Sequence, residues 1–289
     1  MGSRHQKFDP RQYMCRSQFE VFHSLDPEPS DIAIHHHDFY EVYFFLSGKV
    51  EYRVEGRIYQ LRAGDLLLIS PMELHQMIVK ESSAAYDRFV LWIDREYLEG
   101  FTNGGDSLTR CFDTTQSNHT NLLRLTPSQR ADIMMRFEML VQENYGEEYA
   151  RDVGAIGNLL LLMVKLNRIA LQRNKPRLSG EGDIVESPLV TQVLDYVNDH
   201  YDENLSLEGL AQKFYVSKYH LSHEFSRVVG TSVYRYITMK RLLIAKQMLS
   251  SGISPGTAYI NCGFSDYANF YRAFKAQYGI NPRDCMSTG

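Results

Sequence analysis

The chain lacks any apolar run near the roughly 18 uncharged residues a helix needs to cross a bilayer. Its longest, Leu159 to Val164, is far shorter, so no membrane partner is expected. Cysteine is also scarce: Cys15, Cys111, Cys262 and Cys285 form no C-x-x-C pair, and no secretory pattern precedes them. That excludes a disulfide framework or a thiolate zinc site and predicts reduced thiols in a cytoplasmic chain. Positive charge has no excess. Against 35 Asp and Glu stand 31 Lys and Arg, a net of −4, which argues against a polyanion-binding surface over the whole molecule. What remains is an ordinary globular composition, 44% hydrophobic and 23% charged, in 289 residues, enough for two domains.

The charge is unevenly spread. From Leu189 onward ten Lys and Arg face eight Asp and Glu, a net of +2, while the rest nets −6. That basic third also contains one helical unit twice. Ser217 to Gly230 aligns with Asp266 to Gly279 at a constant offset of 49 residues, pairing Leu221 with Phe270 and Phe225 with Phe274. Each copy begins on a residue that can cap a helix N-terminus. Each buries apolar residues at i and i+4 on one face, and each stops at a glycine suited to the left-handed C′ position. Ahead of each copy lies another short helix, capped by Ser206 in one case and by Ser254 with Pro255 at the first turn in the other. Two short helices joined by a tight turn form a helix-turn-helix, whose second helix enters the major groove of double-stranded DNA.

With Leu221 and Phe225 inward, Tyr219, Ser222, His223 and Ser226 share the outer face of the first recognition helix. Ala268, Tyr271, Arg272 and Lys275 hold the equivalent places in the second. Arg272 is the candidate for direct readout, because a guanidinium can donate twice to guanine. Lys275 and Lys218 are candidates for phosphate contacts. Between the copies, Thr231 to Leu249 predicts a connecting helix of about nineteen residues, roughly 28 Å, suited to placing two recognition helices about one DNA turn apart.

The run Leu207…Ala211…Ser217…Leu221…Phe225…Gly230-Thr231-Ser232…Tyr236-Ile237…Arg241…Ala245…Leu249 continues into Cys262-Gly263-Phe264…Asp266…Phe270…Arg272…Phe274-Lys275…Tyr278-Gly279…Pro282. It resembles the DNA-binding domain of AraC/XylS-type bacterial transcription regulators over roughly the last hundred residues. Cys285 departs from the family's usual basic or aromatic residue there.

Upstream, the pattern has a period of two. Val42 to Leu46, Val50 to Val54, Ile58 to Leu61, Leu66 to Ile69 and Phe89 to Ile93 are short strands separated by Gly and Pro signals, as in a small barrel or sandwich. His35-x-His37-x3-Glu41-x6-Gly48, followed by Gly64-Asp65…Pro71…His75, is similar to the two signature segments of the cupin barrel, which also occur in AraC-type sensor domains. Two helices follow. Thr126-Pro127 opens one that buries Ile133, Phe137, Leu140 and Val141; the other runs from about Arg151 to Arg173. They resemble the family's dimerisation helices, though helices that only cover the barrel would show the same pattern. The expected fold is therefore α+β: a cupin-like effector-binding domain (1–125), dimerisation helices (126–173), a polar linker (174–188), and a tandem helix-turn-helix domain (189–289).

His35, His37, Glu41 and His75 are the residues that pose a choice. Imidazoles and a carboxylate could bind Zn, Fe(II) or Mn, which would make the barrel a metal-dependent oxygenase or isomerase. No glycine stands ahead of His35, however, and Glu73 replaces the glycine favoured by metal cupins. The expectation is a polar pocket for a small hydroxylated effector, without cofactor, with Tyr43, Arg88 and Trp92 added by strand parity. His36 is expected at the surface. The resemblance implies a homodimer that binds a sugar or related metabolite, engages RNA polymerase and activates catabolic genes; it implies no catalysis.

Overall fold

A computed structural model describes residues 12–116, 119–172 and 184–287, and the chain divides into two compact units. Most of the expected linker, residues 174–183, lies outside the described residues, as does Arg173.

The first unit is built on two five-stranded sheets. Its strands are β1 (Phe19–Asp26), β2 (Ile32–His35), β3 (Tyr40–Ser47), β4 (Val50–Val54), β5 (Arg57–Gln60), β6 (Asp65–Ile69), β7 (His75–Val79) and β8 (Tyr86–Ile93). After a short helix α1 (Arg95–Glu99) come the two-residue strands β9 (Thr102–Asn103) and β10 (Asp106–Ser107), then β11 (Leu122–Arg124). Helices α2 (Pro127–Tyr145) and α3 (Arg151–Gln172) follow, and β12 (Ile184–Val185) returns to the second sheet. One sheet has the order β1-β8-β3-β6-β11 and the other β12-β5-β4-β7-β2.

The alternation of β3 explains the layering. Val42 and Phe44 point into one core with Phe89, Leu91 and the helices, whereas Tyr43 and Phe45 point into a second core with Tyr52, Tyr59, Met77 and Tyr86. A strand buried on both faces needs a layer on each side. Phe137 of α2 supplies one layer, its ring 5.6 Å from Phe44 and 5.2 Å from Phe89.

The helix α2 starts as its sequence predicts, with Thr126 and Gln129 forming a reciprocal capping box and proline in the first turn. The α3 helix buries Leu159, Leu162, Met163, Leu166 and Ile169. By length and composition it could cross a membrane, but these side chains belong to the core beneath the first sheet. Its other side still carries Val153, Leu161 and Leu171 exposed, with Leu160 and Val164 half-buried.

The second unit is helical: α4 (Pro188–Asp199), α5 (Leu207–Lys213), α6 (Lys218–Val229), α7 (Val233–Ser250), α8 (Pro255–Asn261) and α9 (Tyr267–Tyr278). Every predicted cap forms. Ser206, Ser217, Ser254 and Asp266 each accept from the backbone N–H three residues on, and Gly230 and Gly279 end their helices at φ +81° and +72°. The connecting helix begins two residues later than expected because Ser232 caps it. At 18 residues it is about 27 Å long. Leu242, Ala245 and Leu249 of α7 pack with Ala258, Cys262, Phe270, Phe274 and Cys285 in one core, so Cys285 is a small buried apolar residue there.

Candidate ligand site and nucleic-acid interface

Strand pairing assembles the barrel cluster. Glu41 on β3 stands opposite Trp92 on β8, and His35 on β2 opposite His75 on β7. His37 lies beyond the end of β2 yet turns inward, its ring 4.8 Å from that of His75 and 6.2 Å from that of His35. Its Nε2 is 3.1 Å from Glu41 Oε2, which also accepts from Trp92 Nε1 at 3.0 Å. The other carboxylate oxygen accepts from the Tyr52 hydroxyl at 3.3 Å.

The three imidazoles share one feature. Nδ1 of His35, His37 and His75 lies 2.9, 2.9 and 2.8 Å from the carbonyl oxygens of Ala33, Phe39 and Glu73. A carbonyl can only accept, so each Nδ1 carries a hydrogen. His75 Nε2 is buried with no hydrogen-bond partner among the described residues. Burial, and the neighbouring charges of His35 and His37, hold His75 well below the ordinary imidazole range; burial lowers His35 as well. Burial alone would raise the Glu41 carboxyl. The hydrogen bond and charge of His37, with His35 and the Trp92 N–H, instead keep it below its usual value.

The other expected pocket residues share this interior but are engaged elsewhere. The Tyr43 hydroxyl bonds that of Tyr86. Arg88 donates to Asp26 at 2.5 Å and lies 4.1 Å over the Tyr86 ring. Only Trp92 joins the cluster. His36, expected at the surface, is buried; it lies past the end of β2, whose register against β7 shifts between Ile32 and His35, so strand parity does not carry to it. Tyr52 was not singled out, although the Val50, Tyr52, Val54 alternation already placed it on the inner face.

On α6, Tyr219, His223 and Ser226 are exposed and Ser222 half-buried, and on α9 Ala268, Arg272 and Lys275 are exposed. Two of the expected DNA-contact residues have partners within the chain. Tyr271 is half-buried and its hydroxyl donates to Asn281 Oδ1 at 2.7 Å, so it braces the segment after α9. Lys218 ends 3.0 Å from the Glu208 carboxylate. Two equivalent positions were missed, His220 and Asn269. Both are exposed in the first helical turn, the end of a recognition helix that reaches base edges. Asn269 is prearranged: it donates to Asp266 and its Oδ1 accepts from Arg272 Nη2 at 2.5 Å.

Residues 22–134 match the AraC-like ligand binding domain and residues 210–287 a helix-turn-helix domain. A buried polar barrel interior and a duplicated, capped helix pair thus define the class, a ligand-responsive DNA-binding regulator. The chain belongs to the AraC-type transcription regulators. It is 25% identical over 280 residues to the HTH-type transcriptional activator RhaS of Citrobacter koseri, covering 91% of this chain and 96% of that protein. The arabinose operon regulatory protein of Escherichia coli K12 is 25% identical over 236 residues, 80% of this chain and 74% of that one. A solved structure of fatty-acid-bound ToxT from Vibrio cholerae aligns at 13% identity with a TM-score of 0.38, over 94% and 95% of the two chains.

Proposed function

We propose that the protein activates transcription in response to a sugar or related metabolite held inside the barrel, as a cytoplasmic homodimer that engages RNA polymerase. The supporting observation is the interior itself: Glu41, His37, His75, Tyr52 and Trp92 converge beside the apolar side chains of the second core, a few placed polar groups in apolar surroundings, as in a small-molecule site. The relatives' names, a transcriptional activator and an arabinose operon regulator, support the sign of regulation and the effector class. Residues 1–125 form the effector-binding domain, 126–173 the dimerisation helices, 174–188 the linker and 189–289 the DNA-binding domain. The barrel binds its effector without converting it. A thermal-shift screen against sugars tests this. A true effector at a hundredfold excess over Kd should add about 2.7 kcal/mol of stability, and it should be recovered chemically unchanged. A panel without any shift would remove the sugar class.

Dimerisation is assigned to the outer side of α3, where Val153, Leu161, Val164 and Leu171 are separated by sums of three and four residues and so share one stripe. Leu161 is 55% exposed in the single chain, so Leu161→Glu should leave the fold intact. In a two-fold dimer it would bring in two carboxylates, each costing several kcal/mol once desolvated. Sedimentation should show dimeric wild type at micromolar concentration and a monomeric variant. A variant as dimeric as wild type would move the interface elsewhere.

A further inference from the structure

Given α6 in the major groove, a reading on which this step rests, we infer that His223, with His220 beside it, determines base preference in a proton-dependent way. One half of the DNA site is then read differently at different pH, while the half under α9 is not.

The duplication supplies the observation. At the offset that pairs Leu221 with Phe270, His220 matches Asn269 and His223 matches Arg272. All four side chains are exposed, within the first two turns of their helices. The two pairs differ in one respect. A guanidinium is always charged and an amide always neutral, whereas an imidazole changes charge between about pH 5 and 8. The protonated ring has two N–H donors and no acceptor, as Arg272 has donors alone. One N–H then suits guanine O6 or N7, and the other, which points away from it, suits a phosphate or a neighbouring acceptor. The neutral ring keeps one N–H and one lone pair, and that lone pair suits the amino group of adenine or cytosine. Losing the proton therefore relaxes the preference for guanine.

The surroundings leave this choice to the DNA. Neither ring is bonded to a charged group among the described residues. On α6, His223 stacks with Tyr219 at 6.2 Å. Hydrogen bonds from Arg227 hold the Glu224 carboxyl down to about 2, so it stays ionised throughout. The helices packed on α6 carry Asp195 and Asp199 on α4, Glu208 and Lys213 on α5, and Arg235 on α7. Glu208 is held by Lys218 at 3.0 Å, and Lys213 lies 4.1 Å over the Tyr196 ring. With Lys218 and Arg227 both paired to carboxylates, protonation of the imidazoles is what adds unpaired positive charge to this helix.

Phosphates favour the charged form of a nearby imidazole, so binding takes up protons. The gain in affinity is complete below the pKa of a free ring and is lost as pH rises through the higher value in the complex. Each unit of difference between the two is about tenfold.

The test uses the full-length protein, with binding-site selection run at pH 6 and at pH 8. Guanine should be enriched at one position of the α6 half at pH 6 and relaxed at pH 8. Arg272→Ala marks the α9 half, whose preference should not move. On the duplex selected at pH 6, wild-type affinity should fall about tenfold between the two pH values. The slope of log K against log salt should be steeper at pH 6 by about 0.9 for each added charge. His223→Arg makes α6 match α9 and should keep guanine at both pH values. His223→Gln, folded as wild type by circular dichroism, should lose most of the pH dependence, and His220→Gln in addition should remove the rest. Wild type that binds and selects alike at pH 6 and pH 8, or a loss in His223→Gln equal at both, would overturn the proton dependence while leaving α6 in the groove. Wild-type affinity and preference in His223→Gln at both pH values would remove the ring from the DNA, and the proposal with it.

Discussion

Gly263→Ala is expected to disable the second helix-turn-helix. Gly263 sits in the turn between α8 and α9 at φ +76°, and a Cβ there would lie 2.6 Å from the carbonyl oxygen of Asp202 and 2.8 Å from its Cα. The obstacle is backbone, and it is pinned. Arg241 donates to the carbonyls of Tyr201 at 2.7 Å and Glu203 at 2.6 Å, on either side of Asp202. Left-handed strain of about 1–2 kcal/mol and overpacking of about 1–3 kcal/mol then add, for a loss of about 2–5 kcal/mol. The matching place in the first turn is Tyr215, also left-handed at φ +56° but 96% exposed. Tyr215→Gly relieves strain there and should gain about 0.5–1 kcal/mol after the glycine's own entropy cost. Hydrogen exchange along the intact chain reads both. Gly263→Ala should strip protection from α8 and α9, and cognate DNA affinity should fall at least about tenfold. Wild-type protection in α9 of Gly263→Ala would mean that the Asp202 loop yields.

The contrast between those two turns also shows what the sequence makes legible. Local chemistry reads well. Ser206, Ser217, Ser254 and Asp266 each cap the expected helix, because the cap is a contact three residues long. The strands with strong alternation, Val42 to Leu46 and Val50 to Val54, appear as β3 and β4. Long-range partners do not read. β1 escapes notice because Phe19–Asp26 has no sharp alternation, and it becomes a strand by pairing along its whole length with β8. Tyr271 has the spacing of a base reader, but Asn281, ten residues on, claims its hydroxyl. In α3, period alone cannot divide Leu159, Leu160, Leu161 and Leu162 between an inner and an outer side. The sheet beneath decides, burying Leu159 and Leu162 and leaving Leu161 exposed. In the barrel the residue types of the cluster were visible, whereas the carbonyls that fix its imidazoles were not, since any residue carries a carbonyl.

Arg272→Ala should weaken binding to the cognate site by about 1–3 kcal/mol and relax preference at one base pair, whereas Lys275→Ala should weaken every sequence alike. The difference follows from how the two recognition helices dispose of charge. On α6 both cations are occupied: Lys218 lies 3.0 Å from Glu208, and Arg227 forks onto Glu224 with donors 2.9 and 2.7 Å away. On α9 neither Arg272 nor Lys275 has a carboxylate partner among the described residues; Arg272 rests on the neutral Asn269 and the Ala268 carbonyl. The counterion-release part of binding therefore belongs mainly to α9, while α6 offers Tyr219, His220 and His223, side chains fitted to base edges and thymine methyls. Removing Lys275 should flatten the slope of log K against log salt by about 0.9, one phosphate. Lys218→Ala should change that slope much less, since binding DNA through Lys218 first requires breaking its pair with Glu208. Asn269→Ala should act as Arg272→Ala does, at a neighbouring position, because an amide can pair with adenine and Asn269 also aims the guanidinium. Binding-site selection on each variant, with anisotropy titrations across a salt series, separates these outcomes. An unchanged base preference in Arg272→Ala would remove it from sequence readout, and an equal loss of slope in Lys218→Ala and Lys275→Ala would show that α6 shares the electrostatic anchoring.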